Sequence, residues 1–456
     1  MGSWKGLLAL VALCLSGLIW ISGLQDSLSR PSVVSALELR QLELTVLTAE
    51  VLPPSFRPLL VGEDPRDSLV KVLEQQSKDP SIPPSASRRL ELTLLQRSQG
   101  NPPSTTKASA LDDLATQVDP SRRPLLVALQ GATSVSPAQQ QVLLAPWGKG
   151  SLIAQLGCEQ LGGPASTCPA QRQAPWLIGR FLALTVLPAL LMVAGVVLLG
   201  RQLWLLQRGR LASPPPLVAP PLSLVDVTLV IAGGFVLLGE VLLPALTQGG
   251  LHRLLSHWTL PGDTRQGIDV LGSYLTLALA PLGILALFLA RHPNPPRGGW
   301  LQWGWRPFSA VVVPALHGFL MVIPLVALAT WMLQQVWTDP GGSNPLLEMV
   351  LASSNGLALL AFALTAVVFA PLFEETLFRG VLLPVLSRHM GGLAAVGISA
   401  LLFALAHLSL GELVPLSVLG MGLGLLRWRS GRLGAAVCLH ALWNGLTFLN
   451  LLLLAR

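Results

Sequence analysis

The sequence predicts an all-α polytopic membrane protein: a transmembrane helix bundle preceded by an exported, mostly helical region. Composition and pattern both lead there. Charged residues make up 12% of the 456 and apolar residues 52%, with a positive mean hydropathy, whereas a water-soluble domain carries about 25% charged residues. Apolar runs long enough to cross about 30 Å of hydrocarbon recur through the second half. Lys and Arg outnumber Asp and Glu, 30 against 23, but the surplus lies in short loops between those runs. That is the signature of membrane orientation and not of a nucleic-acid partner.

The first stretch, residues 1–24, places Lys5 before the apolar run Gly6 to Leu24. This reads as a signal peptide or an uncleaved anchor, with no small-x-small cleavage site deciding between them. Either one exports the segment C-terminal to it. Residues 25–175 alternate amphipathic stretches (Leu37 to Leu52, Asp67 to Lys78, Ala138 to Leu144) with Pro/Ser-rich breaks near Pro53, Pro83 and Pro102. They predict a small helical extramembrane region whose charges nearly balance and which carries no motif for chemistry. Cys14, Cys158, Cys168 and Cys438 show no zinc-finger or CxxC spacing. Cys158 and Cys168 are the pair that can close in an oxidising compartment.

Residues 176–340 hold the runs Leu177 to Gly200, Leu224 to Leu246, Val270 to Ala290 and Val311 to Leu333. Residues 341–456 hold Leu351 to Leu372, Leu393 to Leu408, Leu413 to Leu426 and Leu433 to Leu454. Leu377 to Leu386 is too short to cross and reads as a re-entrant or half-depth helix. With Lys5 inside, this succession puts the arginines at 201, 208 and 210, at 291, 297 and 306, and at 427, 429 and 432 on the cytoplasmic side. The same parity leaves residues 25–175 outside and places Glu374 near the inner end of its span, at a cavity facing the cytoplasm.

An ionised side chain at the centre of a membrane helix costs about 2.5–3.5 kcal/mol on insertion scales, so a cluster of them needs a reason. Three late segments carry such a cluster: Glu374, Glu375 and Arg379 at the end of one run, Phe403 and His407 in the next, His440 and Asn444 in the last. Glu375 and Arg379 are one helical turn apart, which lets the arginine neutralise its partner and leaves Glu374 as the candidate general base. His440 and Asn444 share a face and offer two donors to one oxygen. A carboxylate, an imidazole and a donor pair suit water attack on a carbonyl, with a peptide bond as the obvious target. Zinc is the competing use of Glu374, His407 and His440. The order is not HExxH, however, and Asn444 is a poor ligand and a good donor, so the metal-free reading is preferred and needs no cofactor. Taken singly, Glu240 and His317 read as helix-packing polar groups, and Asp226 as interfacial.

At these residues the sequence resembles the CPBP family, the CAAX-protease and bacteriocin-processing (Abi) membrane endopeptidases. Glu374, Glu375 and Arg379 fill its EExxxR motif, Phe403 and His407 its FxxxH motif, and His440 with Asn444 its HxxxN motif, over roughly Gly341 to Leu454. The resemblance implies that Glu374 and His407 activate water, that His440 and Asn444 hold the oxyanion, and that Glu375 with Arg379 shapes the site. It also implies a membrane protein or peptide as substrate, cleaved in the lipid bilayer. The family has been described both as metalloproteases and as glutamate proteases. Two rival readings use the same polar groups: a non-proteolytic membrane scaffold or regulator, and an ion-coupled transporter.

Overall fold

The computed structural model describes residues 3–30, 33–62, 64–77, 85–100, 109–131, 135–148, 150–162, 167–256, 260–337, 342 and 344–455. Pro83, Pro102 and Gly341 lie outside the described residues. Two compact units form, Met1–Val33 with Ala189–Ala455, and Val34–Pro188. The described residues are overwhelmingly helical and include no strand.

The Val34–Pro188 unit is built from short amphipathic helices. Val34–Val51, Pro65–Ser77, Ala86–Ser98 and Leu152–Gln160 bury Leu39, Leu69, Leu90, Leu94 and Leu156. Serines start several of them: the Ser85 side chain accepts from the Arg88 amide, and Ser136 forms a capping box with Gln139. Arg66 joins Glu50 at 2.8 Å and Glu159 at 3.0 Å, tying three helices together. A disulfide links Cys158 and Cys168.

Among the described residues eight helices are long and apolar enough to cross a membrane. They are α1 (Trp4–Ser27), α2 (Ala174–Gln207), α3 (Leu224–Thr247), α4 (Gly262–Ala290), α5 (Ser309–Val336), α6 (Gly356–Met390), α8 (Leu410–Ser430) and α9 (Leu433–Ala455), with the shorter α7 (Gly392–Leu405) between α6 and α8. The chain is an integral multi-pass membrane protein. Leu377 to Leu386 is not a separate half-depth helix, because it continues α6, a helix of 35 residues. The charged residues that end the hydropathic run there are buried against other helices, so the backbone has no reason to break. α7, at 14 residues, reaches only about 21 Å at 1.5 Å per residue and falls short of a full crossing.

Several helices loosen into π-turns, at Leu182–Val186, Leu229–Leu242, Leu364–Phe369 and Thr376–Leu382. Each stops two residues before a proline: Pro188, Pro244, Pro371 and Pro384. Proline lacks the amide hydrogen the ladder needs, and a π-turn lets the residue before it bond five residues back instead of four. Ala370 bonds Thr365 O and Leu383 bonds Phe378 O in this way. The next carbonyl in each case, of Ala366 and of Arg379, then lacks a helical donor. Side chains of other helices fill both: Asn444 Nδ2 donates to Ala366 O at 2.8 Å, and Arg427 Nε to Arg379 O at 3.3 Å.

The three arginine-bearing loops meet at one end of the membrane unit. Arg429 donates to Ala212 O at 3.0 Å, and Arg432 to Arg306 O at 2.9 Å. α1 is packed into the same unit. Lys5 pairs with Asp226 and Ser16 donates to Ala232 O at 2.9 Å, so Asp226 has an ionic partner besides its interfacial position. At the other end of α1, Arg30 donates to Leu408 O, beside His407, and the Leu410 amide donates to Ser27 Oγ at 3.2 Å. His317 is exposed on α5 and does not serve as a packing group.

Candidate active site

α6 supplies Glu374 and Glu375 from the stretch between two π-turns and Arg379 from the second of them, His407 follows the end of α7 by two residues, and α9 supplies His440 and Asn444. Glu375 and Arg379 are both fully buried and pair at 2.9 Å. Arg379 also donates through Nη2 to Gly420 O at 2.8 Å and lies 4.4 Å from the centroid of the Phe403 ring. That ring is the hub of the cluster, 4.7 Å from the His407 ring and 5.6 Å from the His440 ring.

Hydrogen bonds fix the imidazoles. His407 Nδ1 lies 2.8 Å from Phe403 O, a carbonyl that only accepts, so Nδ1 carries the proton and the neutral ring presents a lone pair at Nε2. His440 Nδ1 lies 2.9 Å from Glu375 Oε1, which also accepts. Both Nε2 atoms point toward Glu374 Oε2, at 4.0 Å from His407 and 3.9 Å from His440. Oε2 is buried with no hydrogen-bond partner among the described residues.

These separations test the zinc alternative. Two ligands on a tetrahedral zinc, each about 2.0–2.1 Å from the metal, stand about 3.4 Å apart. Two atoms that share one water at about 2.8 Å stand about 4–4.6 Å apart. Glu374 Oε2 stands 4.0 Å from His407 Nε2 and 3.9 Å from His440 Nε2, wider than two ligands of one zinc and near the lower end of the water spacing, and no group of three His, Cys, Asp or Glu residues among those described is set for a metal ion.

One of the Asn444 amide hydrogens is held by Ala366 O, leaving a single N–H for the site. With α6 continuing to Met390, Glu374 lies near mid-helix. A cavity of about 200 Å³ beside it is lined by Glu240, Tyr274, Asn344, Glu374 and His407. Asn344 and His407 belong to the end of the unit opposite the arginine loops. A second, apolar cavity of about 450 Å³ runs along α4 from Tyr274 to Leu289 and ends against Leu301 and Trp303.

Two residues of this site carry no motif in the sequence. The Tyr274 hydroxyl donates to Glu374 Oε1 at 3.0 Å. Glu240, whose place in the sequence suggests helix packing, is among the residues lining the polar cavity. A lone tyrosine and a lone glutamate on distant helices leave no spacing to read; only the cost of an intramembrane carboxyl singles Glu240 out.

Residues 34–177 match a domain of unknown function (DUF8675). Residues 356–446, which hold all seven motif residues, match the family model described as type II CAAX prenyl endopeptidase Rce1-like. No curated protein and no solved structure matches the chain. Residues 356–446 are thus similar to the CAAX-protease type of membrane endopeptidase, in line with the resemblance that the three motifs carry.

Proposed function

We propose that the chain hydrolyses a peptide bond of a membrane-associated protein or peptide, using a water activated by Glu374 and His407, with His440 and Asn444 holding the oxyanion. The observation that carries this reading is Glu374 Oε2, buried, without a hydrogen-bond partner among the described residues and about one water's breadth from two imidazole nitrogens. The water gives a proton to Glu374 Oε2 while its oxygen attacks the carbonyl carbon, oriented by the lone pair of His407 Nε2. Negative charge gathers on the carbonyl oxygen, and the remaining Asn444 N–H stabilises it together with His440, which must enter this step as the imidazolium, one N–H on Glu375 Oε1 and the other, at Nε2, free for the oxyanion. Glu374 then returns its proton to the amide nitrogen, the C–N bond breaks, and a carboxylate and an amine leave. Glu375 serves this step by orienting His440, and Arg379 by holding Glu375.

The unit Val34–Pro188 belongs outside the cytoplasm on this reading. Its disulfide needs an oxidising compartment, and the arginine loops of the membrane unit mark the opposite side. Comparative terminal proteomics of membranes from wild type and a Glu374→Gln strain tests the whole proposal. New protein termini lost in the variant are expected; an unchanged terminal profile would favour a non-proteolytic scaffold.

A further inference from the structure

We propose that Tyr274 is a positioning residue for Glu374: its hydroxyl ties down Oε1 and thereby turns Oε2 toward the gap shared with His407 and His440. The inference deepens the hydrolytic reading above and rests on it. A carboxylate has two equivalent oxygens and can rotate about its terminal bond, so one of them must be anchored if the other is to face a water reliably. Here one oxygen has a donor at 3.0 Å and the other has none. The unanchored oxygen is the one that faces the two Nε2 atoms.

The anchor is itself held. The Phe373 ring stands edge-on to Tyr274, with centroids 5.9 Å apart at 90°, and Phe235 braces Phe373 from the other side at 5.7 Å. α4, which carries Tyr274, is pressed against α6. A Cβ on Gly267 would meet the Ala358 backbone at 2.8 Å, so the two helices are spaced by the absence of a side chain. The Tyr274 ring also forms a wall of both cavities, polar on one side and apolar on the other. Replacing Tyr274 by Phe keeps that wall and the edge-on contact and removes only the hydroxyl.

Tyr274 is the single tyrosine of the chain, which gives the test a clean signal. Full-length protein labelled with 3-fluorotyrosine shows one fluorine resonance. That resonance is expected to move in Glu374→Gln and to stay nearly in place in Glu240→Gln, although both residues line the same cavity. In cells, Tyr274→Phe should lower the yield of Glu374-dependent protein termini by about tenfold to a hundredfold at equal amounts of folded protein. A purely structural hydroxyl would lower the melting temperature and leave the yield per folded molecule unchanged. Wild-type yields in Tyr274→Phe, or a fluorine signal indifferent to Glu374, would overturn the assignment. Should no Glu374-dependent termini exist, the peptidase reading fails and the catalytic use of the bond with it, while the fluorine signal still decides whether Tyr274 holds Glu374.

Discussion

Arg379 and His440 share one acceptor, Glu375 Oε1, each at 2.9 Å, and nothing of the Glu375 or Arg379 side chain reaches the surface. Removing one partner of a buried ion pair leaves the other charge uncompensated, at a cost of about 3–5 kcal/mol. Glu375→Ala should therefore lower the melting temperature of the detergent-solubilised protein sharply. Glu374→Gln leaves that pair intact and keeps the neutral amide in the same space, so it should melt near wild type while losing cleavage. Equal melting temperatures for the two variants would contradict this division between the neighbouring carboxylates.

Part of this arrangement is legible from spacing alone. The four-residue interval brings Glu375 to Arg379 because both sit on one helix, where backbone geometry sets the distance. His440 and Asn444 obey the same interval yet take different partners, Glu375 and Ala366 O, because each partner comes from α6 and no interval within α9 encodes it. Tyr274 meets Glu374 across 100 positions of sequence, where periodicity carries no information. Hydropathy broke α6 at Glu374, Glu375 and Arg379 because transfer scales treat each charge as solvent-facing. The fold hides two of the three completely.

The disulfide makes the placement of Val34–Pro188 testable. Cys158 and Cys168 enclose a short loop, for which the chain-entropy relation gives about 3 kcal/mol of stabilisation. Cys158→Ser with Cys168→Ser should accordingly make the Val34–Pro188 segment of the full chain more sensitive to limited proteolysis. In intact cells both thiols should resist alkylation until a reductant is added. Ready alkylation of both without reductant would place the unit in a reducing compartment.

Burial pushes the Glu91 carboxyl up to about 8; the nearby Glu43 carboxylate adds to the rise and Arg88 offsets part of it. A carboxyl whose folded value lies above its unfolded one, about 4.3, holds its proton more tightly in the folded state. Its contribution to stability is thus largest at low pH and is lost as pH rises from about 4.5 through 8. Hydrogen exchange across Ala86–Ser98 in the full-length protein, corrected for intrinsic rates, should show weaker protection at about pH 8.5 than at about pH 5.5. The slope is bounded by about 1.4 kcal/mol per pH unit. Glu91→Gln should flatten it, and a wild-type profile that is already flat would show that Glu91 ionises without strain.

Pro371 links the helix ladder to the oxyanion donor. Because it has no amide hydrogen, Ala366 O cannot be filled from five residues on, and the Ala370 amide is already committed to Thr365 O. The orphaned carbonyl recruits Asn444 and so orients the amide hydrogen left for the site. Pro371→Ala restores a backbone donor that competes for Ala366 O. A proline inside a helix costs about 3 kcal/mol, so the variant should melt at or above the wild-type temperature. Its yield of Glu374-dependent termini should nevertheless fall by about tenfold or more, the scale of losing one oxyanion donor. Adding Asn444→Ala to Pro371→Ala should then cost much less than Asn444→Ala alone, since the two changes disable one donor. Full cleavage by Pro371→Ala would mean that Asn444 keeps its orientation without the orphaned carbonyl.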